Sequence, residues 1–168
     1  NVNRLDTINR LSLPTKIAFV RLTPFVKADN TYYDKNIYGS STVLRTVFYS
    51  GVDTSIKFYR LFNAKSNFLR LDINGIRHII TPTINYSYNH EPTVANSKLK
   101  KIDGVDSISR SNAASLGLSN KLQTKRKGQS VDLLDFNVTN TYTFRPKTGD
   151  KRGSTLSDFL FEIKLFLR

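Results

Sequence analysis

From Gly75 to Tyr88 the chain alternates in a way few structures accommodate. One parity carries Arg77, Ile79, Thr81, Thr83, Asn85 and Ser87; the other carries His78, Ile80, Pro82, Ile84, Tyr86 and Tyr88. A mostly polar set against a mostly apolar one, at period two, is a β-strand with one wet and one apolar face. The run is long beside the five or six residues usual for a soluble strand. Its apolar face ends in two tyrosines, as the aromatic girdles of membrane barrels do. Taken alone, the stretch fits a half-buried strand of a soluble sandwich equally well.

The same alternation recurs along the chain. Asn3 to Leu13 reads as a weak first strand, and Leu13-Pro14-Thr15-Lys16 as a short turn. Ile17 to Tyr33 sets Val20, Leu22, Pro24, Val26 and Ala28 against Arg21, Thr23, Lys27, Asp29 and Thr31, with Phe19 and Phe25 among the latter. Pro24 lacks a ladder donor and predicts a bulge. Thr42 to Arg60 sets Leu44, Phe48, Val52, Ile56 and Phe58 against Arg45, Tyr49, Asp53 and Lys57. A polar turn is expected at Asn63 to Asn67. A strand from Phe68 to Tyr88 follows, broken at Asn74-Gly75, where the apolar parity shifts. Asn89 to Ser109 is a long polar connection, and such loops are often functional. Asn112 to Lys125, Val131 to Phe144 and Thr155 to Arg168 alternate again, separated by basic turns at Arg126 to Gln129 and Pro146 to Gly153.

About seven strands joined by alternately short and long connections make an all-β, antiparallel up-and-down meander. No segment carries an apolar stripe at helical spacing. Strand cores of roughly nine to fifteen residues match a tilted span of a bilayer, which favours part of a large transmembrane β-barrel. A packed soluble barrel would fill its interior with Val, Ile and Leu rather than Arg, Asp and Thr. A soluble sandwich with its polar face outward stays open.

The 168 residues carry 26 Lys and Arg against 13 Asp and Glu, a net charge of +13. That balance favours polyanionic partners: nucleic acid, anionic lipid or phosphorylated glycolipid. Cysteine is absent, which excludes disulfides and thiolate metal sites in this stretch. The chain opens on Asn1 without a leader and reads as a piece of a longer protein, residues 1–168 being one fragment of a single barrel domain. Arg21, Lys27, Arg45, Lys57, Arg77, Lys121 and Lys125 come from different strands but share the wet parity, so a meander gathers them on one concave basic wall. No catalytic constellation appears: His78 and His90 are too few for a metal cluster, and neither a nucleophile elbow nor a phosphate loop occurs. Asp103 and Asp106 read as a turn whose carboxylates cap backbone amides, with a divalent-cation site as the alternative.

Several of these residues resemble a known family. Gly75-x-Arg77-His78-x-x-x-Pro82-x-x-x-Tyr86 resembles a barrel strand of the LPS-assembly (LptD, formerly organic solvent tolerance) family. Asp103-Gly-Val-Asp106-Ser-Ile-Ser-Arg110-Ser-Asn112-Ala, leading into Leu116-Gly-Leu-Ser-Asn120-Lys-Leu, is similar to that family's acidic loop and the strand after it. Thr23-Pro24-Phe25 followed by Thr31-Tyr32-Tyr33 fits the same pattern, so the likeness runs from about Leu13 to Phe144. The family's jellyroll, its cysteines and its barrel-closing strands are not visible here. The resemblance implies a barrel segment in the bacterial outer membrane that passes lipopolysaccharide to the outer leaflet without covalent chemistry or cofactor. It also implies a lipoprotein plug of the LptE kind and periplasmic bridge proteins that deliver lipid. Another outer-membrane porin or receptor stays open. A soluble basic domain binding nucleic acid would need aromatics interleaved with Lys and Arg, and here they mostly share parity with Leu, Ile and Val. An outer-membrane protease or lipase has no site to support it.

Overall fold

The computed structural model describes residues 2–67, 72–144 and 154–166. Its strands are β1 (Arg4–Ser12), β2 (Thr15–Ile17), β3 (Val20–Tyr33), β4 (Val43–Ile56), β5 (Phe58–Ser66), β6 (Ile73–Asn89), β7 (Ser111–Arg126), β8 (Gln129–Thr143), β9 (Thr155–Leu156) and β10 (Leu160–Leu165). All ten join one antiparallel sheet, with no α-helix among the described residues. Three lines are interrupted: β1 and β2 both lie along β3, β4 and β5 along β6, and β9 and β10 along β8. The path β1-β3-β4-β6-β7-β8-β10 is the expected up-and-down meander. The sheet is not closed.

Prolines explain two of the interruptions. Pro24 was expected to force a bulge, yet the β3–β4 register runs unbroken from Val20↔Ile56 to Tyr33↔Val43. Its carbonyl accepts from Leu13 N at 3.0 Å, so its missing donor also faces the gap that Leu13 and Pro14 leave between β1 and β2. The ladder loses nothing there that its neighbour could have used. Pro82 likewise stands against the β4/β5 interruption, between the pairs Ser55↔Thr83 and Phe58↔Ile80.

Three local expectations are corrected. The first turn lies at Ala18 and Phe19 rather than Leu13 to Lys16; it is a two-residue hairpin with Ala18 at φ 54°, and Thr15 to Ile17 pair with β3. Asn63 to Ser66 belong to β5, because polar side chains cost a strand nothing where one face is wet. At the break expected at Gly75, β6 runs on continuously opposite a bulge in β5: Phe62 pairs Ile76 but Lys65 pairs Asn74. Gly75 takes φ +77°, which a residue without Cβ adopts freely. Thr124 Oγ1 clamps β6 opposite the bulge, accepting from Asn74 N and donating to Gly75 O, each at 2.9 Å. The Pro146 to Gly153 turn, and Phe68 at the start of the fourth expected strand, lie outside the described residues.

Register carries the two faces across the sheet. Leu22, Thr54, Ile84, Leu116 and Asn140 form one row, and Pro24, Val52, Tyr86, Ala114 and Tyr142 the next on the same face. Opposite them run Arg21, Ser55, Thr83, Gly117 and Thr139, then Thr23, Asp53, Asn85, Ser115 and Thr141. The apolar face is uncovered: Phe48 is 52% exposed, Ile84 53%, Leu116 56% and Ile163 63%. The buried apolar residues are only Tyr33, Val47, Ile79 and Leu99 among those described. At one edge of the apolar face Tyr86, Tyr142 and Phe144 meet edge to face, with centroids 6.4 and 5.0 Å apart.

Candidate functional site

The polar face is a surface of paired charges. Arg10 bonds Asp53 at 3.2 Å with its guanidinium 4.0 Å over the Phe25 ring. Lys27 pairs with Asp29 at 2.8 Å and sits 4.3 Å over the Tyr49 ring. Lys121 reaches Asp132 at 3.1 Å and Asp135 at 3.4 Å. Lys164 pairs with Glu162 at 2.9 Å. Arg10 and Asp53 reach across β3 from β1 and β4, while the other partners sit on adjacent strands or two residues apart on one strand, where side chains on the same face meet. A sheet face this rich in half-buried ions suits water rather than a dry core.

Of the basic set, the sheet brings Arg77, Lys121 and Lys125 to one area. Arg77 donates from Nε to Gln123 Oε1 at 2.8 Å and from Nη2 to the same oxygen; Gln123 Nε2 donates to Asp132 at 2.6 Å. Arg77 and Lys121 are thus two ends of one chain of contacts. Lys125 lies two residues beyond Gln123, exposed and opposite Ser130. Arg21 and Lys57 are exposed at the same end of the sheet. Lys27 is separate, towards the other end.

Arg45 is apart from all of these. It is fully buried, with Nη1 donating to Val105 O at 2.7 Å and Nη2 donating to Asn96 Oδ1 and Ile108 O at 2.7 Å each. Those acceptors belong to the connection between β6 and β7, which folds back over this end of the polar face. Further bonds hold it: Thr93 N donates to Thr46 O at 3.0 Å, Thr46 N donates to Thr93 Oγ1 at 2.9 Å, and Ile37 N donates to Lys98 O at 3.2 Å. Arg45 therefore fastens a loop and presents no donor to a passing solute.

The acidic pair of that loop completes the fastening. Gly104–Ser107 is a short 3-10 turn capped by Asp103, which accepts from Val105 N at 2.8 Å, while Asp106 accepts from Asp103 N at 3.0 Å and Ile102 N at 2.6 Å. Tyr33 Oη donates to Asp106 Oδ1, and Arg4 bridges Asp103 at 2.6 Å and Asp106 at 3.3 Å. Burial works to raise the Asp106 carboxyl, but Tyr33, the two amides and Arg4 outweigh it and hold it below the ordinary 3.8. The Arg4 hydrogen bond, followed by that of Val105 N, holds Asp103 low as well. The two aspartates cap backbone amides and bind Arg4. Sequence reasoning singled out the aspartates and quoted Tyr33 only within the family likeness; nothing local links the aspartates to Arg4 or Tyr33, which lie about 100 and 70 residues away.

The other family-motif residues are structural in their contacts. Gly75 stands opposite the β5 bulge; His78 stands between Arg60 and Leu122; Pro82 stands beside Leu118; Tyr86 stands between Val52 and Ala114. Asn112 O accepts from Phe144 N at 2.8 Å. No group of three or more His, Cys, Asp or Glu that could hold a metal occurs among the described residues.

No curated protein matches the chain. A family model described as LptD protein matches residues 8–167. An antiparallel meander with an uncovered apolar face is what a barrel wall requires. The chain belongs to the LptD protein family, outer-membrane proteins of lipopolysaccharide transport and assembly.

Proposed function

We propose that this segment is part of the wall of a bacterial outer-membrane barrel that inserts lipopolysaccharide into the outer leaflet. The polar face lines a water-filled lumen and the apolar face meets lipid. The phosphorylated sugar moves along the polar face while the acyl chains leave through the wall. One observation carries this reading: a single sheet holds its ionic pairs on one face and leaves Phe48, Ile84, Leu116 and Ile163 more than half exposed on the other. In water such a face would forgo about 25 cal/mol for each Å² left uncovered; in a bilayer it is already in its preferred medium.

The basic residues act as weak, exchangeable contacts. Arg21, Lys57 and Lys125 are exposed, and Lys27 and Lys121 are offset by carboxylates. In water each contact with a phosphate contributes about 1 kcal/mol or less, so a charged headgroup meets donors without a deep trap. A lipoprotein plug and periplasmic bridge proteins complete the route, and no covalent step or cofactor is needed. The test is photo-crosslinking to lipopolysaccharide in cells, with probes at Lys57 and Lys121 compared with Phe48 and Leu118. Crosslinks from the polar pair are expected. Crosslinks from the apolar pair alone, or from neither, would remove the polar-face path.

A further inference from the structure

At the short-turn end of the sheet, β5, β6 and β7, with Ser130 of β8, line an open cavity of about 770 Å³. Leu61, Arg77, Gln123 and Lys125 line it on the polar parity, and Lys65 lines it from beside the β5 bulge. Three cations therefore share one cavity whose lining contains no carboxylate. Elsewhere on this face Arg10, Lys27, Lys121 and Lys164 each have an acidic partner within 3.4 Å. Lys65 and Lys125 have none among the described residues, and the neighbouring Asp132 is bonded to Gln123 and Lys121. Arg77 uses Nε and Nη2 on Gln123, which orients the guanidinium and leaves Nη1 as a donor. Asp132 lies close enough to Arg77 to offset part of its charge, but Lys65 and Lys125 have no such partner among the described residues, and a dianion entering the concave site relieves the repulsion that remains.

We propose that this cavity binds the phosphate monoester of a phosphorylated lipid headgroup. An oriented guanidinium supplies directional donors to phosphate oxygens, and the two ammonium groups supply point charge. The bulge makes the site: the extra β5 residue between Phe62 and Lys65 shifts Lys65 out of the regular ladder, and the sequence offers no reason to pair it with Lys125. The assignment of the ligand to a lipid rests on the barrel-wall reading above; the phosphate chemistry does not. Connections at this end are short, as at Ala18 and Phe19 and at Lys127 and Gly128, and short turns face the periplasm in such barrels. A phosphorylated lipid arriving from the periplasm would meet this site first.

The test uses the intact membrane-embedded protein and three probes: inorganic phosphate, lipid A carrying its phosphates, and enzymatically dephosphorylated lipid A. Binding is read by 31P NMR line-broadening for the phosphorylated probes and by calorimetry for all three. Lys65→Gln with Lys125→Gln is expected to weaken binding of phosphorylated lipid A about tenfold or more, and to leave dephosphorylated lipid A unchanged. Both side chains are exposed, so this variant keeps the fold; Arg77→Lys, which keeps charge but loses the fork, should weaken it several-fold. Equal dependence for inorganic phosphate supports the site and identifies free phosphate as sufficient. Unchanged binding in the double variant, or equal loss for the dephosphorylated lipid, overturns the site. Crosslinks at Lys57 and Lys121 would persist in that case, so this site and the barrel path fail separately.

Discussion

Single residues divide by the face they serve. Leu118 stands between Pro82 and Val138 on the apolar face. Leu118→Arg should cost roughly 2–4 kcal/mol in the unfolding free energy of the bilayer-embedded protein, whereas Asn137→Ser on the other face should cost much less. Equal costs would argue that the apolar face does not meet lipid. Arg45 has the opposite problem, because its guanidinium is the partner of two buried carbonyls and an amide oxygen. Arg45→Leu leaves Val105 O and Ile108 O without their donor and should free the loop at a cost of about 2–4 kcal/mol. Limited proteolysis between Asn96 and Arg110 should then become fast, while strand amides keep their protection from hydrogen exchange. Gly51 shows how tightly the polar face is built: a Cβ there would collide with Tyr86 O and come within 2.7 Å of the Phe25 ring.

Among the elements, the β6–β7 loop is the one with a titratable fastening. Asp103 and Asp106 both have carboxyl groups held below the ordinary 3.8. A depressed carboxylate stabilises the docked loop fully above its undocked value, and that contribution is lost as the pH falls through the docked one. The loop should therefore stay fixed at neutral pH and loosen only below about pH 3.8. A nitroxide attached after Lys100→Cys should report slow motion at neutral pH and faster motion in acid. Asp106→Asn should show the fast motion already at neutral pH. An unchanged spectrum in that variant would mean that the Arg45 contacts alone hold the loop.

At the scale of the whole molecule, the meander puts its connections at two ends. The connections after β3 and β6 share one end, tied by Ile37 N donating to Lys98 O at 3.2 Å. The hairpins at Ala18 and Phe19 and at Lys127 and Gly128 share the other. In the barrel reading the first end is outside the cell and the second faces the periplasm. Lys100→Cys should react with a membrane-impermeant maleimide on whole cells, and Lys127→Cys only after the outer membrane is opened. The reverse labelling would invert the orientation and move the cationic cavity to the outer surface. Among the described residues both outer lines of the sheet, β1 with β2 and β10 with β9, have an unpaired side, and such an edge does not persist in hydrocarbon without further strands.

How much of this was legible beforehand follows from which forces act locally. The alternation from Gly75 to Tyr88, and its repeats, determined strand type and the two faces, because side chains in a strand alternate whatever the partner strand is; the antiparallel order followed from the short connections between strands. It also separated Leu118 and Val138 from Lys121 and Asn137 before any pairing was known. Strand ends were less legible: Asn63 to Ser66 look like a turn, since a wet strand face and a loop use the same residues. The effect of Pro24 was misread because the cost of a missing donor depends on what stands opposite it, and Leu13 and Pro14 are opposite only once β1, β2 and β3 align. The convergence of Arg4, Tyr33 and Arg45 on the loop, and of Lys65, Arg77 and Lys125 on one cavity, was decided by tertiary structure alone. Charges on distant strands become neighbours only through register, and register is a property of the assembled sheet.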